Sequence, residues 1–231
     1  MRRKASTVHH PLFARGYARM AAKAESEGAA EHRTELLAGL TGRVVEVGAG
    51  NGLNFKHYPE TVEHVLAVEP EPLLRDLATK AAEHAPVPIE VVDGVADALP
   101  AADGSFDASI ASLVLCSVPD QDRALAELWR VIRPGGELRF YEHVRAESPS
   151  FAQFQRVVDL VWPLVGGGCH TSRDTPTAVE RAGFDVIASR RFRFVPCFVA
   201  RPVTPHVIGI ARRPTGDTLG TSSPRETEEG P

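Results

Sequence analysis

Cysteine is scarce in this 231-residue chain, long hydrophobic runs are missing, and only 6% of the residues are aromatic. The three cysteines, Cys116, Cys169 and Cys197, are too few and too scattered for a disulfide framework, and no C-x-x-C pair stands ready for zinc. No apolar run approaches the roughly 18 residues that a membrane span needs, and the basic start (Arg2, Arg3, Lys4) is not followed by a signal-peptide core. These absences predict a cytoplasmic protein without stable membrane insertion. A strong charge of one sign is missing too. Net charge is −4, and residues 214–231 hold Asp217, Glu226, Glu228 and Glu229 against Arg225, so that this tail carries −3 and the body −1. A nearly neutral body exerts no long-range pull on nucleic acid. What remains, 43% hydrophobic and 24% charged, is the composition of a globular domain, not of collagen, coiled coil or wholesale disorder.

Along the chain, residues 14–40 are rich in Ala, Glu, Arg and Lys, which predicts two short helices joined near 26–28. From residue 43 short apolar runs at 44–47, 65–68, 89–92, 109–115 and 138–141 alternate with helical patterns. Such runs are what doubly buried parallel strands produce. One helical pattern repeats Leu73, Leu77 and Ala81, with Leu74 and Ala78 alongside. Another repeats Leu125, Leu128, Trp129 and Ile132 behind a start signal at Pro119 and Asp120. Arg133-Pro134-Gly135-Gly136 reads as the end of that helix and a tight turn into the next strand. An apolar helix over 151–165, a glycine-rich loop at 166–168 and a helix near 176–182 follow. Two late runs, 186–194 and 206–211, read as a hairpin completing the sheet. Strand–helix alternation implies a doubly wound α/β sheet with helices on both faces. The last 18 residues have almost no apolar content and read as a disordered tail.

The first strand runs into Glu46-Val47-Gly48-Ala49-Gly50-Asn51-Gly52, a turn where glycine lets backbone approach a ligand closely. Dinucleotides and S-adenosylmethionine (SAM) both use such a turn. The dinucleotide fingerprint G-x-G-x-x-G requires a glycine at 53, where Leu53 stands. An acid two residues before the first glycine repels a pyrophosphate but favours the sulfonium and ammonium of SAM. The second strand ends at Glu69-Pro70, and a carboxylate there is placed to accept from the hydroxyls of an adenosine ribose.

The segments VVEVGAGNG (44–52), LAVEP (66–70), ALPAADGSFD (98–107) and VIRPGG (131–136) together resemble a class I SAM-dependent methyltransferase. The resemblance implies a Rossmann-like, seven-stranded, mostly parallel sheet with an antiparallel last strand. It divides the chain into an N-terminal helical lid (1–40), the methyltransferase domain (41–213) and the tail (214–231). NFKHYP (54–59), LVLCSV (113–118), YEHV (141–144), GCHTSRD (168–174) and Pro205-His206 are similar to the thiol S-methyltransferases of animals and their bacterial relatives, a branch related to the menaquinone and ubiquinone C-methyltransferases. The animal proteins begin with a hydrophobic anchor, whereas no such stretch opens this sequence. By resemblance, Glu46, Gly48, Ala49, Gly50 and Asn54 lie at the methionine part of SAM, and Glu69 and Pro70 at its ribose. Val95 and Ala96 bound the adenine; relatives carry an adenine-binding aspartate where Val95 stands, so that bond either comes from elsewhere, with Asp97 a candidate, or is absent. Ser112 and Leu113 form the floor, and the segment with Tyr17 is either a lid over the cofactor or a helix packed on the sheet.

Methyl transfer is an in-line displacement in which the protein aligns reactants and excludes water. A thiol of pKa about 8.5 needs little help to ionise, while an alcohol or carbon acid needs a positioned base. His143 with Glu142 first, and then His170 and His206, are the candidates on the substrate side. Cys169-His170, being adjacent, makes no metal site alone, and none is expected. Cys116 reads as a small core residue, and Arg173 and Asp174 as a pair. Ser112-Leu113-Val114-Leu115 stands where base-methylating enzymes carry an N-P-P-Y-type tetrad, so the expected partner is a small apolar molecule and not nucleic acid. The favoured acceptor is a thiol. A quinone-like, phenolic or lipid acceptor, a non-catalytic SAM-binding protein and a NAD-dependent oxidoreductase are the rivals.

Overall fold

The structure is a computed structural model that describes residues 11–195 and 198–215. Cys197 and residues 216–231 of the acidic tail lie outside the described residues. Helix α1 (Pro11–Ala24) passes through a widened turn at Glu25–Ala29 into α2 (Ala30–Leu37). The break falls at Gly28, whose φ of +113° no L side chain adopts without strain. Then follow β1 (Gly42–Val47), β2 (Val62–Val68), α3 (Pro72–Ala82), β3 (Ile89–Val92), β4 (Phe106–Ser112), α4 (Gln121–Val131) and β5 (Ile132–His143). The last part holds α5 (Pro149–Val158), α6 (Trp162–Val165), α7 (Thr175–Arg181), β6 (Asp185–Arg193) and β7 (Pro205–Arg212).

The strands form one seven-stranded sheet in the order β3-β2-β1-β4-β5-β7-β6. The first five are parallel, and β7 runs antiparallel between β5 and β6, the late hairpin the sequence predicts. Alternation along β1 sends Val45 and Val47 to a core shared with α4 and α7, and Val44 to one shared with α2 and α3. Glu46 therefore points to the α2 side. The order reverses between β1 and β4, which opens a crevice at their C-terminal ends.

Four local readings change. The fourth strand ends at Ser112, not Leu115, because Leu113 takes a φ of +60° and turns the chain off the sheet. Residues 133–136 are not a turn between helix and strand. They bulge within β5, where the pairing jumps from Phe106–Ile132 to Ala108–Glu137, while Arg133 bonds Asp107 at 2.7 Å and Gly135 N–H bonds the Arg213 carbonyl at 2.8 Å. In α3 the buried residues are Leu74 and Ala78, and the Leu73–Leu77 stripe flanks them. The helix expected over 151–165 is two, and Val157, Leu160, Val161, Leu164 and Val165 on it are exposed. In α4 the start signal holds: the Asp120 carboxylate caps the Arg123 N–H at 3.0 Å.

Candidate active site

Three glycines after β1 hold positive φ, +60° at Gly48, +58° at Gly50 and +77° at Gly52. A Cβ at Gly48 would run into the Val114 side chain, and one at Gly50 would lie 3.4 Å from the Tyr17 ring. The loop is thus pressed against the turn after β4 on one side and faces α1 on the other. Its Ala49 N–H donates to the Val68 carbonyl at 3.2 Å, and its Gly50 N–H to Glu69 Oε2 at 2.8 Å.

Two buried carboxylates stand beneath this loop. Glu69 accepts from the N–H of Gly50 and, at 2.9 Å, of Glu71, which leaves one lone pair on each oxygen for a ligand hydroxyl. Arg75 donates to the carbonyls of Glu69 and Pro70 at 2.8 and 3.0 Å and holds the strand end. Burial pushes both the Glu69 and the Glu46 carboxyls up to about 7. An anion brought to this loop meets one amide already claimed by a carboxylate and two acids behind it, whereas a cationic or neutral ligand is favoured. The residues present therefore fit SAM and not a pyrophosphate.

Glu46 and Asn54 do not face outward as a methionine-binding pair would. Glu46 accepts from Asn54 Nδ2 at 2.8 Å and from the Tyr58 hydroxyl at 2.7 Å, and Asn54 Oδ1 accepts from Arg33 at 2.7 Å. Asn54, 1% exposed, shapes the loop from behind. Arg33 is the centre of this network, since it also reaches Glu25 at 2.7 Å and Ser112 Oγ at 3.3 Å. The sequence offered no sign of it, because an arginine in an Ala- and Glu-rich helix reads as solvated surface. Ser112 is buried at the end of β4, and Leu113 follows with its N–H on the Tyr141 carbonyl at 2.7 Å. Val95 and Ala96 lie partly buried in the loop after β3, beside a short bridge from Val95 to Ala98. Asp97 pairs with Arg123 at 3.8 Å on the α4 side.

On the substrate side the candidates separate. Glu142 is no catalytic base. It is fully buried, and its carboxylate accepts from the N–H of Val114 (3.0 Å), Leu115 (2.9 Å) and Cys116 (3.1 Å). Burial drives this carboxyl upward against the pull of those three donors. It is a positioning residue for the turn below the glycine loop. His143 is half-buried, with Nδ1 at 3.5 Å from Cys116 Sγ and 3.4 Å from Cys169 Sγ. His170 does not join it through its ring; its backbone N–H donates to the Cys116 carbonyl at 2.8 Å. Burial and then Arg173 lower the His170 pKa. Arg173 and Asp174 do not pair with each other: Arg173 donates to the Leu115 carbonyl at 2.6 Å, and Asp174 binds Arg145 at 2.7 Å. Cys116 is buried, as expected of a small core residue, but its neighbours are Cys169 and His143. His206 is buried against Tyr141, Phe192 and His143, with Nδ1 on the Thr204 carbonyl at 2.9 Å.

A methyltransferase-domain family model matches residues 45–140. The human thiol S-methyltransferase TMT1A is 38% identical over 180 residues, covering 75% of this chain and 72% of that protein. A demethylmenaquinone methyltransferase of Thermus thermophilus is 31% identical over 146 residues, covering 60% and 66%. Among solved structures, a SAM-dependent methyltransferase of Thermotoga maritima superposes with a TM-score of 0.65 at 22% identity, over 87% of this chain and 96% of that one. That last likeness concerns the fold alone. No helix among the described residues is long and apolar enough to cross a membrane. The chain belongs to the class I SAM-dependent methyltransferases, in the branch that contains the thiol S-methyltransferases, and SAM is its methyl donor.

Proposed function

We propose that this protein transfers the methyl group of SAM to the sulfur of a small thiol. The observation that carries this reading is that the two first-choice bases on the substrate side are engaged elsewhere: Glu142, buried, by three backbone N–H groups and His143 through its Nδ1 beside the Cys116 and Cys169 thiols. An acceptor that ionises unaided requires neither, and a thiol near pKa 8.5 is such an acceptor. The likeness to human thiol S-methyltransferases supports the same choice.

When bound, SAM supplies a methyl carbon activated by its sulfonium. The chain's part is to bind, orient and exclude water. Gly48, Ala49 and Gly50 would receive the methionine portion along the loop backbone, Glu69 and Pro70 the ribose, Val95 and Ala96 the adenine. Ser112 and Leu113 form the floor. Of the N-terminal segment 1–40, residues 1–10 lie outside the described residues, and residues 11–40 act as a helical lid over the domain 41–213, a reading supported by the Tyr17 ring facing Gly50.

The test is a product assay with SAM and a panel of alkyl and aryl thiols, phenols and a reduced quinone, read by mass spectrometry. S-methyl products are expected, with a rate that rises through the pKa of the thiol. Methylation of the quinol or phenols alone would overturn the thiol reading and favour the chemistry of the menaquinone relatives.

A pH signature follows from Glu69. Its carboxyl accepts ribose hydroxyls best when ionised, and burial sets it at about 7. Affinity for S-adenosylhomocysteine should therefore weaken about tenfold between pH 8 and pH 6, one pKa unit being a factor of ten. Calorimetric titration at the two pH values checks it, and in Glu69→Gln the dependence should vanish. An equal slope in wild type and variant would remove Glu69 from the site.

A further inference from the structure

Cys116, His143 and Cys169 come from three separate segments: the turn after β4, the end of β5 and the loop after α6. Their ligand atoms all lie within 4.8 Å of one another, with the two sulfur–nitrogen distances at 3.5 and 3.4 Å. With zinc–sulfur bonds of about 2.3 Å and a zinc–nitrogen bond of about 2.05 Å, tetrahedral angles give a sulfur–nitrogen edge of about 3.6 Å. The observed distances match that edge to within a few tenths of an ångström. We propose that Cys116 Sγ, His143 Nδ1 and Cys169 Sγ are the protein ligands of one thiophilic divalent cation, a site that shares no residue with those assigned above to SAM.

Each ligand is anchored through its backbone and not by the cluster itself. The Cys116 N–H donates to Glu142, the Cys116 carbonyl accepts from His170 N–H, and Arg173 holds the neighbouring Leu115 carbonyl. Cys169 is brought in by Gly168, at φ +85°, where a Cβ would stand 2.6 Å from the Ser117 carbonyl oxygen, so only glycine permits this approach. His143 is the last residue of β5, and its ring is packed edge-on against His206, 4.7 Å between centroids. Val203, Trp162 and Ala200 pack around the two thiols. Two thiolates and an imidazole select soft or borderline cations over magnesium or calcium.

Hydrogen bonding alone explains the cluster less well. The single ring nitrogen serves one thiol at a time, so the other must bond thiol to thiol or turn to Ser117 Oγ, 3.5 Å from Cys116 Sγ, and sulfur is a weak donor and a weak acceptor. A shared cation satisfies all three groups at once. Binding releases the two thiol protons to solvent and leaves a fourth tetrahedral position for water or another ligand.

The test uses the full chain, stripped of metal with a chelator under reducing conditions and titrated with Co(II) as probe, then with Zn(II). Expected are one equivalent of cobalt, a thiolate-to-cobalt charge-transfer band, displacement of that band by zinc, and release of about two protons per ion in weak buffer. Cys169→Ser and Cys169→Ala should each weaken binding at least tenfold and diminish the band, while Cys197→Ser keeps it. Thermal unfolding of the metal-free variants separates loss of a ligand from loss of the fold. If a variant fails to fold, the wild-type titration decides by itself: no charge-transfer band, or cobalt bound without proton release, overturns the site. A band of full strength in the Cys169 variants overturns it equally.

Discussion

Glu142→Ala should lower the unfolding free energy by about 3–5 kcal/mol, the largest loss expected of any single change here. Its carboxylate satisfies three backbone N–H groups of one turn, and each buried donor left alone costs roughly 1–3 kcal/mol, part of which entering water recovers. The turn in question carries the strained Leu113 and presses Val114 against the position where Gly48 would bear a Cβ. Affinity for S-adenosylhomocysteine should fall together with stability. Glu142→Gln keeps the volume but offers one acceptor oxygen and turns an NH2 toward the remaining donors, so it should rescue only part. Urea unfolding checks both, with the midpoint lowered and the slope unchanged. A loss under 1 kcal/mol in the alanine variant would show that the turn holds itself.

Arg33→Ala should cost about 3 kcal/mol. Arg33 joins Glu25 to Asn54 and Ser112 in the interior, and breaking a buried pair strands the remaining charge, at a cost of roughly 3–5 kcal/mol. Lys56, which also reaches Glu25 at 3.0 Å from an exposed position, keeps the loss near the low end. Arg33→Lys should recover little, because one ammonium cannot span three acceptors held by a planar fork. The pH dependence provides a second readout. Burial raises the Glu25 carboxyl, but hydrogen bonds from Lys56 and Arg33 outweigh it and hold the folded-state pKa below 4.5. A depressed carboxylate pKa contributes stability that is present above the unfolded value and lost as pH falls through the folded one. Wild type should therefore lose that contribution below about pH 4.5, and Arg33→Ala should show a flatter acid limb. An identical acid limb in the two proteins would mean that Lys56 alone holds Glu25.

Much of the fold was legible because its signals are local. The apolar runs at 44–47, 65–68 and 89–92 lie inside observed strands, the helix break fell at the glycine that must take positive φ, and the late runs paired as a hairpin. Where the reading slipped, a non-local partner decided. Leu113 lies in an apolar run that reads as strand, yet it leaves the sheet because Glu142, from the next strand, holds the following three amides in a turn. Arg133–Gly136 carries every mark of a turn, yet Asp107 and Arg213 hold it as a bulge.

The site divides along the same line. The glycine loop, the acid at the end of β2 and the family they belong to were determined by the sequence alone, because a positive φ and a strand-end carboxylate are encoded by residue type at fixed spacing. Which way each polar side chain faces was decided only by the tertiary structure. Glu142 and His143 are neighbours in β5 and alternate across its pleat, so one is sealed in the interior as a turn cap while the other meets two cysteines from distant segments. Arg33, Asn54 and Glu46 meet because strand parity aims Glu46 at α2, and no spacing in the chain announces that encounter. Local conformation is set by short-range sterics, whereas the pairing of buried charges is set by which faces the packed layers bring together.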